Sequence, residues 1–306
     1  MFDIIGKRFR FFLISGIVLL IGIISLASFG LKAGIDLSSG SILTLNFEQE
    51  VTVAEVKQEL DNLGYDNAIV QITGEGDIII RASELTTTEK GQLEESLGAN
   101  LGPVEELSFE NVDPLIAKQT AQTAAIAVAI AAIGILLYIT WAFRRMPKPF
   151  RYGACAVVAL VHDTLVALGV FSILGGILGW EVNLMFITGI LAVIGYSVNN
   201  TVVVFDRIRE NLLRGSSTIF EVTVNNSLAE TLTRSLNTSL TTIIVVLALL
   251  LFVGSTIQNF SAVLLIGIIA GTFSSLFIAP SLLVVWERGE WGRFIRWLPV
   301  ARPRDR

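Results

Sequence analysis

Six long apolar runs constrain this chain more than any other feature of its sequence. They lie at residues 11–30, 118–143, 152–178, 183–205, 235–254 and 259–286. A helix needs about 20 apolar residues to cross a lipid bilayer. Only 16% of the 306 residues are charged, well below the roughly 25% of a typical soluble domain. The sequence therefore predicts an α-helical polytopic membrane protein with six transmembrane helices.

The first apolar run follows Lys7, Arg8 and Arg10, as the core of a signal peptide would. It is too long for such a core, and the stretch SLASFGLK at its end lacks a convincing cleavage site. We therefore expect this span to be retained. Residues 1–32 would then form a cytoplasmic N-terminus and transmembrane helix 1.

Basic residues set the expected orientation of the spans. They are concentrated at 144–151, in a predicted cytoplasmic loop at 206–234 and in a basic tail at 287–306. Lysine and arginine prefer the cytoplasmic side of a membrane. With six spans, these segments and both termini lie on that side. The mixed charge of 206–234 indicates an amphipathic helix at the membrane surface, or else a contact with a cytoplasmic partner.

The longest segment between two spans, residues 33–117, has the pattern of a small folded domain. Strands are predicted at 41–48, 67–73, 76–82 and 103–112, and helices at 52–64 and 86–98. The first helix begins with a capping box, Thr52 and Glu55. The order β-α-β-β-α-β is that of a ferredoxin-like split βαβ unit. We expect this α+β domain on the external side between helices 1 and 2, with transmembrane helices 2–6 within 118–286.

Polar side chains interrupt the apolar pattern in three spans. They are, in chain order, His162, Asp163, Tyr196, Asn199, Asn200 and Arg234. The first two lie near the middle of the third span, and the tyrosine is close enough to the amides to share a helix face with them. Such residues usually face a bundle interior or a water path.

Each of these residues has a structural and a functional interpretation. Asn199 and Asn200 either join neighbouring helices through hydrogen bonds or line a proton path. Arg234 either reaches inward to the amides or extends outward to lipid phosphate. Asp163 either forms a structural pair with His162 or titrates. The residues alone leave these alternatives open.

Several classes of function are excluded by what the sequence lacks. It has one histidine and one cysteine, Cys155, and it has no glycine-rich phosphate loop and no zinc-ligand spacing. We therefore expect no enzymatic activity, no cofactor and no metal site.

Four stretches, in order along the chain, carry a resemblance to a known family. They are GIDLSSG with Gly34, Asp36 and Gly40, ALVHDTLVALGVFS (159–172), IGYSVNNTVVVFDRIREN (194–211), which ends with Asp206, Arg207, Arg209 and Glu210, and TLTRSLNTSLTT (231–242). Together with the six spans and the domain between the first two, they resemble the SecD/SecF family of the resistance-nodulation-division superfamily, and its SecF branch in particular.

The resemblance implies a subunit of the Sec preprotein translocase in the bacterial cytoplasmic (inner) membrane. Such a subunit would couple the proton-motive force to late steps of protein export, after the SecA and SecYEG step. Its implied partners are a SecD-like subunit in a heterodimer, the SecYEG channel, SecA, unfolded preprotein on the outer side and the lipid bilayer, but no nucleic acid. Two alternatives are half of a small-solute or lipid exporter of the same superfamily and a non-energised assembly subunit.

One position departs from the family pattern. Most family members have aspartate where this chain has Asn200, and an amide cannot bind and release a proton near neutral pH. We interpret Asn200 as a hydrogen-bonding wall of a path whose titrating carboxylate belongs to the partner. Asp163 is the candidate substitute within this chain, and Arg234 matches the arginine of the family.

Overall fold

The computed structural model of the chain describes residues 3–73, 76–252 and 257–292. Most of the predicted basic tail lies outside these residues. The chain divides into two compact units. The sheet unit is Ala33–Ala125, and the helical unit combines Met1–Lys32 with Ile126–Arg306.

Among the described residues, six helices are long and apolar enough to cross a membrane, which confirms the predicted number of spans. Along the chain, the elements are α1 (Arg8–Phe29), α2 (Ile35–Ser38), β1 (Gly40–Phe47), α3 (Val53–Asn62), β2 (Ile69–Ile72), β3 (Ile78–Ala82), α4 (Thr87–Leu101), β4 (Val104–Val112), α5 (Pro114–Ala142), α6 (Phe150–Leu178), α7 (Leu184–Leu213), α8 (Phe220–Phe252), α9 (Gln258–Phe273) and α10 (Ala279–Arg288). A π-helical segment, Ser274–Ile278, joins α9 and α10 into the sixth long helix.

The sheet unit has the ferredoxin-like arrangement predicted from the sequence. Its strands lie in the order β2-β3-β1-β4, and each pairs antiparallel with its neighbour. Both longer helices begin with a capping box, in which a threonine and a glutamate three residues later satisfy each other's backbone N–H groups. The predicted box is Thr52 and Glu55, and a second one is Thr86 and Glu89.

The core of the sheet unit lies between one face of the sheet and the two helices α3 and α4. Alternate residues of a strand point to one face, and residues four apart share a helix face. Accordingly, the buried core residues are Leu43 and Leu45 of β1, Ile78 and Ile80 of β3, Val56 and Leu60 of α3, and Leu93 and Leu97 of α4.

In the helical unit, α7 and α9 approach closely because glycines on each helix face larger residues on the other. A Cβ atom on Gly267 would lie 2.1 Å from Val193 Cγ2, and one on Gly189 would lie 2.1 Å from Val263 Cγ1. Apolar side chains gain little by leaving lipid for a helix interface, so close packing and interhelical hydrogen bonds drive association within a bilayer.

The segment predicted as a cytoplasmic loop at 206–234 is largely helical, as its mixed charge indicated, but it forms no separate amphipathic helix. α7 continues to Leu213 and α8 begins at Phe220, so most of this segment extends the two spanning helices. The extensions remain helical because they pack against each other. Asn211 Nδ2 of α7 donates a hydrogen bond to Ser227 Oγ of α8 at 3.0 Å.

The start of the chain is fixed to α8 and to the segment after α10. Arg8 is buried and pairs with Glu221 at 2.8 Å and with Glu290 at 2.6 Å. The backbone N–H of Ile4 donates to Asn225 Oδ1 at 2.9 Å. Arg8 is therefore a structural residue of the helical unit as well as part of the basic flank of the first span.

Candidate functional site

A buried carboxylate, that of Asp163 on α6, is the centre of a polar cluster in the helical unit. Oδ2 accepts hydrogen bonds from Ser197 Oγ of α7 at 2.6 Å and from Ser274 Oγ of the π-helical segment at 2.8 Å. Oδ1 lies 2.9 Å from His162 Nδ1. Insertion of an aspartate at the centre of a spanning helix costs about 2.5–3.5 kcal/mol. These three contacts supply the partners that offset this cost.

His162, the residue before Asp163 on α6, contributes the third contact of the carboxylate. With the proton on Nδ1, the ring donates to the Asp163 carboxylate, and Nε2 is left as a hydrogen-bond acceptor. The His162 side chain is only 8% exposed, and Nε2 has no hydrogen-bond partner among the described residues. The pair therefore uses one ring nitrogen and leaves the other unmatched.

The π-helical segment and a glycine shape the space beside the carboxylate. Ser274 is the first residue of this segment, and π-helical turns occur frequently at functional sites. A Cβ atom on Gly271 would lie 3.0 Å from Ser197 Cβ and 3.4 Å from Asp163 Oδ2. Because residue 271 has no side chain, α9 can lie directly against the cluster.

A second polar cluster surrounds Ser239 of α8. Its Oγ lies 2.7 Å from Thr272 Oγ1 of α9 and accepts hydrogen bonds from Tyr196 OH at 3.2 Å and from Asn200 Nδ2 at 3.4 Å. Ser239, Thr272 and Asn200 are all buried. These contacts join α7, α8 and α9 through polar groups, which is a common means of helix association in membranes.

The two adjacent amides have different environments. Asn200 is buried at the Ser239 cluster, whereas Asn199 is exposed. Arg234 is exposed as well, and its side chain makes no hydrogen bond or ion pair with any residue that the structure describes. The structure thus brings Tyr196 and Asn200 together but does not bring Arg234 to either amide.

Asn199 belongs to a stripe of small or polar residues that is exposed along α7. The stripe consists of Thr188, Ala192, Gly195 and Asn199. Intervals of four, three and four residues keep these positions on one helix face. Small residues at such spacing let two helix backbones approach closely in a membrane, so this face is suited to contact with a further helix.

The stretch after α1 has a local structural role in the sheet unit. Gly34 is the N-cap of α2, and Asp36 lies in the first turn of that short helix. Gly40 opens β1 with φ +125, and a Cβ atom there would lie 2.8 Å from the carbonyl oxygen of Ala82. Gly40 is therefore required both by its backbone conformation and by its close contact with β3.

The charged residues at the end of α7 form ion pairs. Asp206 pairs with Arg209 at 2.6 Å, and Arg207 pairs with Glu210 and, at 2.5 Å, with Glu230 of α8. The last pair links the extensions of the two helices. Of these four residues of the predicted exit of helix 4, Arg207 contacts α8, and the other three pair within α7.

Sequence reasoning did not predict the contacts of the serines and the threonine in the two clusters. They are Ser197, Ser239, Thr272 and Ser274, and all four are buried. Such small hydroxyl residues are common in spanning helices, and only the helix contacts reveal which of them meet a carboxylate. Among the described residues, no group of three or more His, Cys, Asp or Glu side chains could hold a metal ion.

Asp163 is the only Asp or Glu that is buried among the described residues. A carboxyl group can take up and release a proton, whereas the serine, threonine and asparagine side chains around it only exchange hydrogen bonds. The two clusters therefore combine one carboxyl group, with the His162 imidazole beside it, and a surround of hydroxyl and amide groups that donate and accept hydrogen bonds.

Comparison with known proteins identifies the chains that this one resembles. The family described as protein export membrane protein SecD/SecF, C-terminal, matches residues 92–289. The matched segment includes α5 to α10, and with them both polar clusters.

Two curated relatives are similar to the chain along nearly its whole length. Protein translocase subunit SecF of Thermobaculum terrenum is 43% identical, with 97% of each chain covered. Protein translocase subunit SecF of Anaerolinea thermophila is 41% identical, again with 97% of each chain covered.

A solved structure has the same fold. The crystal structure of SecDF, a translocon-associated membrane protein from Thermus thermophilus, matches with a TM-score of 0.83 at 29% identity. The match includes 94% of this chain but only 39% of that longer SecDF chain.

Proposed function

The chain belongs to the SecD/SecF family of protein-export membrane proteins, and on that premise we propose that it couples the proton-motive force to late steps of export. Its role is in Sec-associated protein export, a transporter-like role rather than that of a known enzyme, and its partner in the translocase is a SecD subunit. In the finer proposal, it acts on preprotein at the outer side of the bacterial cytoplasmic membrane, after SecA and the SecYEG channel. Both of its termini lie in the cytoplasm.

The exposed stripe on α7 supports a heterodimer within the membrane. The Asn199 amide would otherwise face lipid, where polar groups need protein or water beside them, whereas the Thr188 hydroxyl already donates to the Leu184 carbonyl oxygen at 2.9 Å. The exposed Arg234 on α8 has the same need. This chain corresponds to 39% of the SecDF chain that it resembles, and we infer that a separate SecD subunit supplies the facing helices here.

The single observation that carries the proposed coupling is the burial of Asp163 between two serines and His162. A proton-driven transporter needs a group that changes charge inside the membrane. Asn200 cannot change charge, so within the described spans we assign this role to Asp163 with His162 as its hydrogen-bond partner, while Asn200 and Ser239 serve as hydrogen-bonding walls. A second titrating carboxylate, supplied by the SecD subunit, would face Asn199 and Arg234.

The proposal is tested by preprotein release from proteoliposomes that contain the chain and its SecD partner, with and without an imposed proton gradient. Asp163→Asn keeps the shape of the side chain but removes its titration, so we expect gradient-dependent release to fall to the rate seen without a gradient. Arg234→Ala removes the fixed charge near the heterodimer contact, and we expect it to cripple release. Asn200→Asp restores the common family residue, and we expect release to be kept or modestly raised.

A matched control is Leu240→Ala, which shortens an exposed apolar residue on the same helix as Arg234. It should leave gradient-dependent release unchanged. If Asp163→Asn and Arg234→Ala both retain the parental gradient-dependent rate, then the coupling role is wrong.

A second candidate function, that of a non-energised assembly subunit, is favoured by Asn200. A subunit that has lost the ionisable group of its family would still stabilise the heterodimer through the stripe on α7. In that case the Asp163→Asn variant should assemble with SecD and export normally, whereas Thr188→Leu and Gly195→Leu, on the stripe, should reduce co-purification.

A further inference from the structure

The two edge strands of the sheet unit differ in how they are protected. β2 and β4 lie at the two ends of the strand order β2-β3-β1-β4, so each pairs with a single neighbour in the sheet. An unpaired edge is a template for pairing with a further chain, and proteins usually block it with charges, prolines or bulges. β4 has such a block, because it carries Glu105, Glu106 and Glu110, and its register with β1 shifts at Leu107.

β2 has none of these blocks. Its sequence IVQI contains no charged residue and no proline, and its register with β3 is unbroken from Ile69 to Ile72. The side chains of these two isoleucines are 55% and 54% exposed. Residues three apart on a strand point to opposite faces, so a strand placed beside β2 would meet an exposed apolar side chain on each face of the sheet.

The unpaired side of β2 follows from the hydrogen bonds on its other side. The N–H of Thr73 donates to the carbonyl oxygen of Asp77 at 2.8 Å, where β2 turns into β3. Hydrogen-bonded pairs alternate along an antiparallel ladder, so Gln71 also directs its backbone groups to β3. The N–H and C=O groups of Val70 and Ile72 therefore point away from β3, and they bond to no residue that the structure describes.

The charge of the sheet unit distinguishes between possible occupants of this edge. Residues 33–125 contain 17 acidic residues but only 4 basic ones. Two copies of the unit joined edge to edge would bring like charges together, whereas a segment that carries lysine or arginine would be attracted. Unpaired backbone groups accept any extended chain, and the side chains beside them select among such chains. The edge is thus suited to an extended segment with apolar residues and basic flanks.

We propose that β2 binds an extended, basic segment of another polypeptide, which adds to the sheet as a fifth strand. The backbone of the segment exchanges hydrogen bonds with Val70 and Ile72, and its apolar side chains contact Ile69 and Ile72. Because backbone groups carry the contact, it depends little on the sequence of the segment. The identification of this segment as unfolded preprotein rests on the proposed function, whereas the strand addition itself does not.

The test measures peptide binding to the chain and its SecD partner in nanodiscs, without a proton gradient. One fluorescent peptide alternates valine and threonine and has two lysines at each end. A second peptide has the same sequence, but the amide nitrogens of its central residues are methylated, so it cannot donate to β2 although its charge is unchanged. We expect fluorescence anisotropy to show saturable binding of the first peptide and about tenfold weaker binding of the second.

Two variants of the chain locate the binding at β2. Ile72→Pro removes an N–H that points away from β3. Proline is tolerated on an edge strand at such a position, so the pairing of β2 with β3 remains. This variant should weaken binding of the unmethylated peptide about tenfold. Ile72→Thr keeps both the N–H and a β-branched side chain, and it should weaken binding by less than about threefold.

Three results would overturn the proposal. Equal binding of the two peptides to the parental complex would show that charge and side chains alone hold them. Unchanged binding to Ile72→Pro would place the site elsewhere in the complex. A dimer of the complex that Ile72→Pro dissociates would make a second copy the occupant of β2.

The proposed coupling is tested separately by Asp163→Asn. This variant should lose gradient-dependent release but bind the unmethylated peptide as the parental complex does. Failure of strand addition is therefore distinguishable from failure of the proposed function.

Discussion

The sheet unit and the helical unit differ in the residues that form their closest contacts. The interior of the sheet unit is formed by large apolar side chains such as Leu45 and Leu60, both fully buried. The tight α7–α9 contact in the helical unit is formed by Gly189 and Gly267 against two valines, with buried serines beside them. The helical unit buries large side chains as well, among them Phe171 and Phe205, but many of its apolar residues lie outside, as Leu137 does on α5 with 64% exposure.

The difference follows from the solvent of each unit. In water, burial of apolar area is worth about 25 cal/mol per Å², so a soluble domain gathers its leucines inside. In lipid, a leucine has almost the same surroundings inside and outside the protein, and stability depends on close packing and on satisfied polar groups. An exposed leucine on α5 therefore costs little. In the sheet unit, a buried leucine should contribute much more to stability than an exposed one.

The largest effect is expected in the core of the sheet unit. Residues 33–112 contain a complete core, so this fragment should fold alone and show a cooperative thermal transition. Leu45→Ala should then destabilise it by about 3–4 kcal/mol, through lost burial and a residual cavity. Calorimetry or chemical denaturation of the fragment measures this change.

The matched control is Leu107→Ala on β4, where the side chain is 51% exposed. Its effect should stay within about 0.5 kcal/mol. A fragment without a cooperative transition, or equal effects of the two substitutions, would contradict the claim that buried apolar side chains stabilise the sheet unit.

The second prediction addresses the helical unit, where a methyl group added at a close helix contact should be worse than one added at an open position. Gly267→Ala places a Cβ against Val193 at the α7–α9 contact and should destabilise the complex with SecD by about 2 kcal/mol. Gly134→Ala on α5 meets no atom within 4 Å and should be neutral or slightly stabilising. Thermal inactivation of the detergent-solubilised complex compares the two. Equal melting of both variants would contradict the role assigned to glycine.

The third prediction concerns the capping boxes of the sheet unit and their dependence on pH. Each Thr→Ala substitution at a cap, Thr52 or Thr86, should cost about 1 kcal/mol near neutral pH. Denaturant unfolding of the fragment at a series of pH values measures the difference from the parental fragment.

The pH dependence of this difference follows from the glutamates of the boxes. Hydrogen bonds from the backbone and then the hydroxyl of Thr52 hold the pKa of Glu55 below its usual 4.5, and Thr86 does the same for the pKa of Glu89. Stability from a lowered carboxyl pKa is present above 4.5 and is lost as pH falls through the lowered value. The gap between parental and variant fragments should therefore narrow below pH 4.5. Burial raises the pKa of Glu94. Its contribution to the pH dependence of stability is the same in the parental and variant fragments, so it does not change the difference between them. A gap that widens in acid would refute this account.

The smallest effect is expected from an ion pair on the surface of the sheet unit. Lys90 of α4 pairs with Glu106 of β4 and lies 3.6 Å from Glu94. Glu106→Gln should cost at most about 1 kcal/mol, and the cost should shrink as salt is added. Glu105→Gln, next to it in sequence but in none of the ion pairs of the described residues, should cost less. A salt-independent loss would indicate that packing, not charge, holds α4 to β4.

The sheet unit could be predicted from the sequence almost element by element, because its signals are local. Alternating apolar residues marked its strands, and the Thr52 and Glu55 spacing marked the start of α3. The six spans could be predicted from length and apolarity alone. The charged segment at 206–234 was predicted to be helical, but its division between α7 and α8 was not predicted, because ion pairs such as Arg207–Glu230 depend on how two helices pack and not on local sequence.

The candidate site was only partly predictable for the same reason. Asp163 and His162 were visible as polar residues in an apolar run. Ser274 was not, because its contact with Asp163 depends on the π-helical turn and on the crossing of α6 with the sixth span. Asn199 and Asn200 are adjacent in a helix and so face different sides of it. Which of the two amides is buried depends on how α7 packs against α8 and α9, and this could not be read from the sequence.

The π-helical segment Ser274–Ile278 rotates α10 about the axis of the sixth span relative to α9. A π-turn accommodates one extra residue in a helix, and each α-helical residue advances about 100° around the axis. Residues of α10 are thus displaced by about that angle from where an unbroken α9 would have carried them. Removing one residue from the segment would act as a rotation of α10 about its own axis: the buried Ser281 and Val284 would meet different neighbours, while α9 kept its contacts with α7.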